Sequence, residues 1–110
     1  MLYVVKRDGR KVSFNAIKIA NAIKRASEEI GFELKESEYI NLTQNVIKSI
    51  EKLTKDEITV EQIQNLVQRA LMENNYKDIG RAYANYRQER TRIREIKSDL
   101  MKAIEKIGIK

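Results

Sequence analysis

The sequence predicts a mainly α-helical domain, a four-helix bundle capped at one end by a small N-terminal β-hairpin. Three observations carry that expectation. Apolar residues recur at helical spacing through four successive segments. Two short apolar runs at the start flank Asp8-Gly9, a hairpin-turn signal. The 110 residues, without Pro or a low-complexity stretch, suffice for one core and one domain.

The hairpin joins Leu2 to Val5 with Val12 to Phe14. A two-residue type I′ turn at Asp8-Gly9 would set Arg7 against Arg10, Lys6 against Lys11, Val5 against Val12 and Tyr3 against Phe14. Because side chains alternate between faces, Tyr3, Val5, Val12 and Phe14 would then form the apolar face. An isolated hairpin is marginal in water, so that face must cover something helical.

Asn15 can cap the first helix, whose apolar stripe is Ala16, Ile19, Ala20, Ile23, Ala26 and Ile30, with Gly31 placed to close it. A second helix is expected from Ser37, with Ile40, Val46, Ile47, Ile50 and Leu53 inward. The third begins at a capping box, Thr59 and Gln62, with Ile58 stapling onto Ile63. Its stripe is Ile63, Leu66, Val67, Ala70 and Leu71. The fourth, capped by Asp78, turns Ile79, Ala82, Tyr83, Tyr86 and Ile93 inward and meets no stop before Gly108. Continuous from Ile79 it would run about 43 Å, roughly twice the first helix. Residues 96–110 then form a helical connection toward a further domain, carrying Leu100, Met101, Ile104 and Ile107 at helical spacing. The alternative is a short separate helix folded back on the bundle.

Composition narrows the function. Hydrophobic residues are 42% and charged residues 35% of the chain, and no apolar run approaches the ~20 residues of a bilayer span. With no signal-peptide layout at the start, the expected location is the cytoplasm. The absence of Cys and His removes thiol nucleophiles, zinc ribbons and the usual general base. A catalytic site would rest on carboxylates, Lys or Tyr alone, so the chain reads as a binding domain, not an enzyme, with no metal site of its own.

The net charge of +6 is uneven: +6 over residues 1–27, −5 over 28–76, +4 over 77–97 and +1 beyond. Two basic ends that meet in the fold would focus a field attractive to an anion. Like charges opposed across the hairpin destabilise it unless an anion sits there, or unless solvent screens an exposed tip. Lys18 falls at the third helical position, where the macrodipole disfavours a cation and welcomes an anion. Lys6, Arg7, Lys18 and the free backbone amides could thus converge on a phosphate chain. No Walker or GxGxxG motif is present. A second basic set, Arg81, Arg87, Arg90, Arg92 and Arg94, interleaves with Tyr83 and Tyr86. It could hold a base and a phosphate, or be a solvated helix face with core tyrosines.

The opening VVKRDGRKVSFN (Val4 to Asn15) with Lys18 behind it closely resembles the start of an ATP-cone. ITVEQIQNLVQRAL (Ile58 to Leu71) and GRAYANYRQER (Gly80 to Arg90) match that domain's closing helices in order and spacing. The YRQER ending is most similar to the N-terminal cone of anaerobic (class III) ribonucleoside-triphosphate reductases. The resemblance covers residues 3–95, so that 1–95 would be the cone. It implies allosteric control by ATP or dATP, with which Mg2+ is compatible, within a longer reductase chain of which this would be the front, and a homo-oligomer. Carried over by position, Val4, Lys6, Arg7, Asn15 and Lys18 would line the nucleotide pocket, with Thr59, Arg81, Arg87 and Arg90 as further candidates. Lys11-Val12-Ser13 departs from cones that have an acidic residue just after the hairpin turn, so a ribose contact there does not carry over. Two other classes remain as alternatives: a basic helical nucleic-acid-binding module, which the charge permits, and an oligomerisation or docking domain.

Overall fold

The structure, a computed structural model, describes residues 1–107. Its elements are β1 (Tyr3–Val5), β2 (Lys11–Ser13), α1 (Ala16–Glu29), α2 (Glu36–Leu53), β3 (Glu57–Thr59), α3 (Val60–Glu73) and α4 (Lys77–Ile107). The expected class, four helices with a small β element, is the observed one. The β element, however, has a third strand. β1 lies between β2, antiparallel, and β3, parallel, with Val4 paired to both Val12 and Ile58.

The hairpin register differs from the expected one by a residue. The pairs are Tyr3 with Ser13, Val4 with Val12 and Val5 with Lys11. The Lys6 N–H donates to the Arg10 carbonyl and the Gly9 N–H to the Lys6 carbonyl, so Arg7, Asp8 and Gly9 form a three-residue loop. Gly9, at φ +88°, takes the left-handed position that closes such a loop as a bulge. The slip exchanges the faces of β1. Val4 is buried, with Leu2, Val12 and Phe14 packed around it, while Tyr3 is 40% exposed. Lys6 therefore faces Arg10 rather than Lys11, and Arg7 sits in the loop.

Local capping signals hold at two of the helix starts. The Asn15 side chain accepts from the Ile17 N–H at 3.0 Å. Thr59 Oγ1 accepts from the Gln62 N–H at 3.1 Å while Gln62 Oε1 accepts from the Thr59 N–H at 3.0 Å. Gly31 follows the end of α1 at φ +70°. α2 starts one residue earlier than expected, at Glu36, because Glu38 reaches back to accept from the Lys35 N–H at 3.2 Å. Asp78 is not a cap: α4 begins at Lys77, and Asp78 lies in its first turn, where a carboxylate complements the helix dipole.

The core gathers Ile19, Ile23, Ala26, Leu34, Leu42, Val46, Ile50, Ile58, Val67, Leu71, Ile79 and Tyr83 beneath the sheet. α1 packs on α2 and α4, and α3 on the same two. Leu42, not Ile40 or Leu53, leads the buried face of α2: Ile40 is 50% and Leu53 61% exposed. Tyr86 and Ile93, expected inward, are also exposed. α3 and α4 come close at Gly80, where a Cβ would stand 2.9 Å from the Met72 sulfur. α4 is one unbroken helix and does not fold back. Beyond Thr91 its described side chains are exposed, Ile96, Leu100, Met101 and Ile104 among them. The expected stop at Gly108 and the Ile107 side chain lie outside the described residues.

A partly exposed polar tie lies at the edge of this core. The Tyr76 hydroxyl donates to Glu38, joining the entry to α4 to the first turn of α2. That bond holds the Glu38 carboxyl below its usual range, and it pushes the Tyr76 phenol up. A depressed carboxyl stabilises fully above its unfolded pKa, and the contribution is lost as pH falls through the folded one. A raised phenol stabilises fully below its unfolded pKa, and its contribution is lost as pH rises through the folded one. Tyr76→Phe should therefore flatten both the acid and the alkaline limb of melting temperature against pH. Thermal melts between about pH 3 and pH 11 check this; limbs as steep as in the parent would show the tie carries no stability.

Candidate functional site

The slipped hairpin, the start of α1 and the first two turns of α3 enclose a cleft of about 280 Å³. Its walls are apolar: Val4 and Val12 from the sheet, Phe14, Ile19 and Ala22 from the entry and body of α1, and Val60, Ile63 and Val67 from α3. Tyr83 of α4 is buried among them, and burial pushes its phenol up to about 12. It stays neutral near pH 7 and retains a proton to donate. Lys6, Ser13, Asn15, Lys18 and Gln64 supply the polar groups.

Charge at this cleft is one-sided. α1 has no acidic residue in its first turn, so the positive end of its dipole is uncompensated. Lys18 adds a cation in that same turn, and Lys6 another from the end of β1. Among the described residues, neither takes part in a salt bridge. The other hairpin cations are engaged. Arg10 Nε lies 2.6 Å from Asp8 Oδ2, and the Arg10 N–H donates to Asp8 Oδ1 at 3.1 Å. Those two bonds, the backbone one first, keep the Asp8 carboxyl below its ordinary range. Lys11 pairs with Glu57 across the sheet, which raises its ammonium pKa. Arg7 lies 3.7 Å from Glu61.

Of the residues the sequence singles out, Val4, Lys6, Asn15 and Lys18 meet in this cleft. Thr59 caps α3 immediately before Val60 at the cleft wall. Arg7 and Arg87 share a neighbouring shallow groove with Glu61, Gln88 and Thr91. Arg87 also ties α4 to α3 by donating to Asn65 Oδ1 at 2.9 Å and Gln68 Oε1 at 3.1 Å. Arg81 lies on the far side, 3.8 Å from Asp78, in a larger groove of about 650 Å³. That groove sets Glu29, Asp78 and Glu89 against one guanidinium, the wrong sign for an anionic ligand. Arg90 is exposed on α4 and lines none of these clefts.

Gln64 is absent from the residues that the sequence singles out. Val60, Ile63, Gln64 and Val67 fall at i, i+3, i+4 and i+7 on the face of α3 that lines the cleft. A polar residue inside an otherwise apolar helical stripe is the signal that could have found it.

An apolar slot just below the usual ~300–1,000 Å³ of small-ligand sites holds only the flat part of a ligand. The two unpaired ammonium groups and the helix start at its rim would hold an anionic end outside. Among the described residues no group of three or more His, Cys, Asp or Glu could hold a metal ion. No described helix is long and apolar enough to cross a membrane.

Comparison with known proteins identifies the family. The family model for the ATP cone domain matches residues 2–92. The anaerobic ribonucleoside-triphosphate reductase of Haemophilus influenzae is 37% identical over 103 residues, covering 93% of this chain and 14% of the relative. Its counterpart in Escherichia coli is 33% identical over 102 residues, with the same two coverages. The ribonucleoside-diphosphate reductase subunit alpha of Chlamydia pneumoniae is 32% identical over 101 residues, 86% of this chain and 10% of the relative. The chain thus spans only 10–14% of these relatives' lengths.

Proposed function

The chain belongs to the ATP-cone family, and from that premise we propose that it is an allosteric ATP- or dATP-binding domain that regulates a ribonucleotide reductase. The observation that carries this reading is the cleft itself: an apolar slot with Lys6 and Lys18 unpaired at its rim, beside the start of α1. The base and sugar enter between Val4, Phe14, Ile19 and Ile63. The triphosphate lies outward against Lys6, Lys18 and the helix start, with Asn15 beside it. Arg7 joins the phosphates once it releases Glu61, and Thr59 stands at the mouth. Arg81, Arg87 and Arg90 act away from this pocket, Arg87 by holding α3 to α4. Any Mg2+ arrives with the triphosphate.

The regulated enzyme is an anaerobic ribonucleoside-triphosphate reductase in the cytoplasm; the identities of 33–37% over 93% of the chain favour that class. The chemistry belongs to the remainder of such an enzyme. The exposed apolar row Ile96, Leu100, Met101 and Ile104 supports a role for α4, beyond the family match ending at residue 92, in passing the signal onward. Because ATP and dATP differ by one hydroxyl, they switch the enzyme only through differential affinity for two arrangements, most directly two homo-oligomeric states.

Calorimetry of the 110-residue chain should give a micromolar-range constant for ATP or dATP, about −7 to −8 kcal/mol. Affinity should weaken as salt rises, since the rim contacts are ionic. A short DNA duplex serves as the comparison ligand. The reading is lost if neither nucleotide produces heat or a melting shift, or if DNA binds more tightly than both. Sedimentation with saturating ATP and then dATP tests the switch; identical assemblies under both would remove that half of the reading.

A further inference from the structure

From the state of Gln64 we infer that this residue determines base specificity, its side-chain oxygen accepting a hydrogen bond from the exocyclic amine of an adenine base. The inference rests on the nucleotide reading of the cleft. Gln64 lines that cleft one turn into α3, yet its Oε1 is buried and has no hydrogen-bond partner among the described residues. A buried carbonyl without a donor is destabilising, and native proteins seldom keep one without a use. Replacement by an apolar side chain would cost nothing locally, since Ile63 and Val67 beside it are apolar already.

The surroundings restrict what can satisfy it. Ile19, Ala22, Ile63 and Val67 offer no side-chain donor, the Tyr83, Ser13 and Asn15 side chains that share the cleft make no hydrogen bond to Oε1, and Lys6 and Lys18 have the anionic end of the ligand to serve. The missing partner is therefore a donor carried on an otherwise flat, apolar ring. Adenine has such a donor at its 6-position, whereas a purine with an oxygen there presents a second acceptor and leaves Oε1 unsatisfied. A site built around a polar group rejects the analogue lacking its partner far more strongly than an apolar pocket rejects a shape difference. Lys6 and Lys18 hold any triphosphate, and Gln64 selects the base.

The test compares ATP with purine riboside triphosphate, in which hydrogen replaces the amine, on the parent chain and on Gln64→Met. The parent should bind ATP at least about fivefold more tightly. Gln64→Met should bring the two ligands within about twofold, chiefly by weakening ATP. Without ligand, the same variant should melt about 4 °C or more above the parent, because the orphaned oxygen is gone. That increase also reports that the variant is folded. Equal binding of the two ligands by the parent, or an undiminished ATP preference in Gln64→Met, overturns the inference while leaving the nucleotide site standing. Absence of ATP binding by the parent overturns both.

Discussion

Replacing Lys18 with Ala should weaken ATP binding by roughly ten- to a hundredfold, the equivalent of about 1.5–3 kcal/mol for a lost charged hydrogen bond. Lys18 lines the cleft, occupies the first turn of α1, and has no carboxylate partner among the described residues. Its ammonium is thus not spent on structure. In the free protein it opposes the helix dipole, so removing it should leave stability unchanged or slightly higher, by about 0.3–1 kcal/mol at most. A structural lysine would behave the other way, with lost stability and unaltered binding. Calorimetry and melts on the same preparation separate the two, and unchanged ATP affinity in Lys18→Ala would remove this residue from the site. Arg10→Ala is a useful control, since Asp8 already occupies its guanidinium and it stands outside the cleft.

The largest effect on stability is expected at Leu71. It is 0% exposed, at the place where α3 meets α4 beside Gly80. Its carbonyl also accepts from the Tyr76 N–H at 2.9 Å, in the turn that reverses the chain into α4. Leu71→Ala keeps that backbone bond and removes only side-chain packing, leaving a cavity between two helices. Such substitutions cost about 2–5 kcal/mol, which here should lower the melting temperature by roughly 10 °C or more. Leu100→Ala removes the same atoms from a residue 60% exposed on the projecting part of α4, and should change stability by no more than about 0.5 kcal/mol. Chemical denaturation of both variants gives the comparison. Equal effects at Leu71 and Leu100 would contradict the packing of α3 on α4.

Much of the proposed nucleotide cleft is legible in the sequence because its cationic half is contiguous. Val4, Lys6, Asn15 and Lys18 lie within one hairpin and one helical turn, where strand alternation and the helix dipole act on residues that are near neighbours in the chain. The opposite wall is not legible. Ile63, Gln64, Val67 and Tyr83 come from α3 and α4, and nothing in their local spacing says that they face the hairpin rather than another helix. Arg81, Arg87 and Arg90 illustrate the same limit. One basic, tyrosine-containing helix looks like one binding surface, but at 3.6 residues per turn Arg81 falls about 120° around it from Arg87 and about 180° from Arg90. Arg87 is drawn to Asn65 and Gln68 and Arg81 to Asp78.

The sequence by itself determined what depends on contacts within about four residues: the caps at Asn15 and Thr59, the break at Gly31, the helical periods and the class of fold. Tertiary structure alone decided the hairpin register, the third strand and the buried face of α2. A two-residue and a three-residue loop around Asp8-Gly9 are both locally acceptable. The choice falls to the one that turns Val4 inward, where Ile58 of β3 can pair beside it and both can meet the helical core. Glu57-Ile58-Thr59 carries too few residues to announce a strand, and it becomes one because β1 has an edge to offer. Leu42 rather than Ile40 is buried because two faces of α2 carry apolar residues, and only the positions of α1 and α3 choose between them. Each of these outcomes is a competition between locally equivalent states, resolved by the apolar area that distant segments bury together.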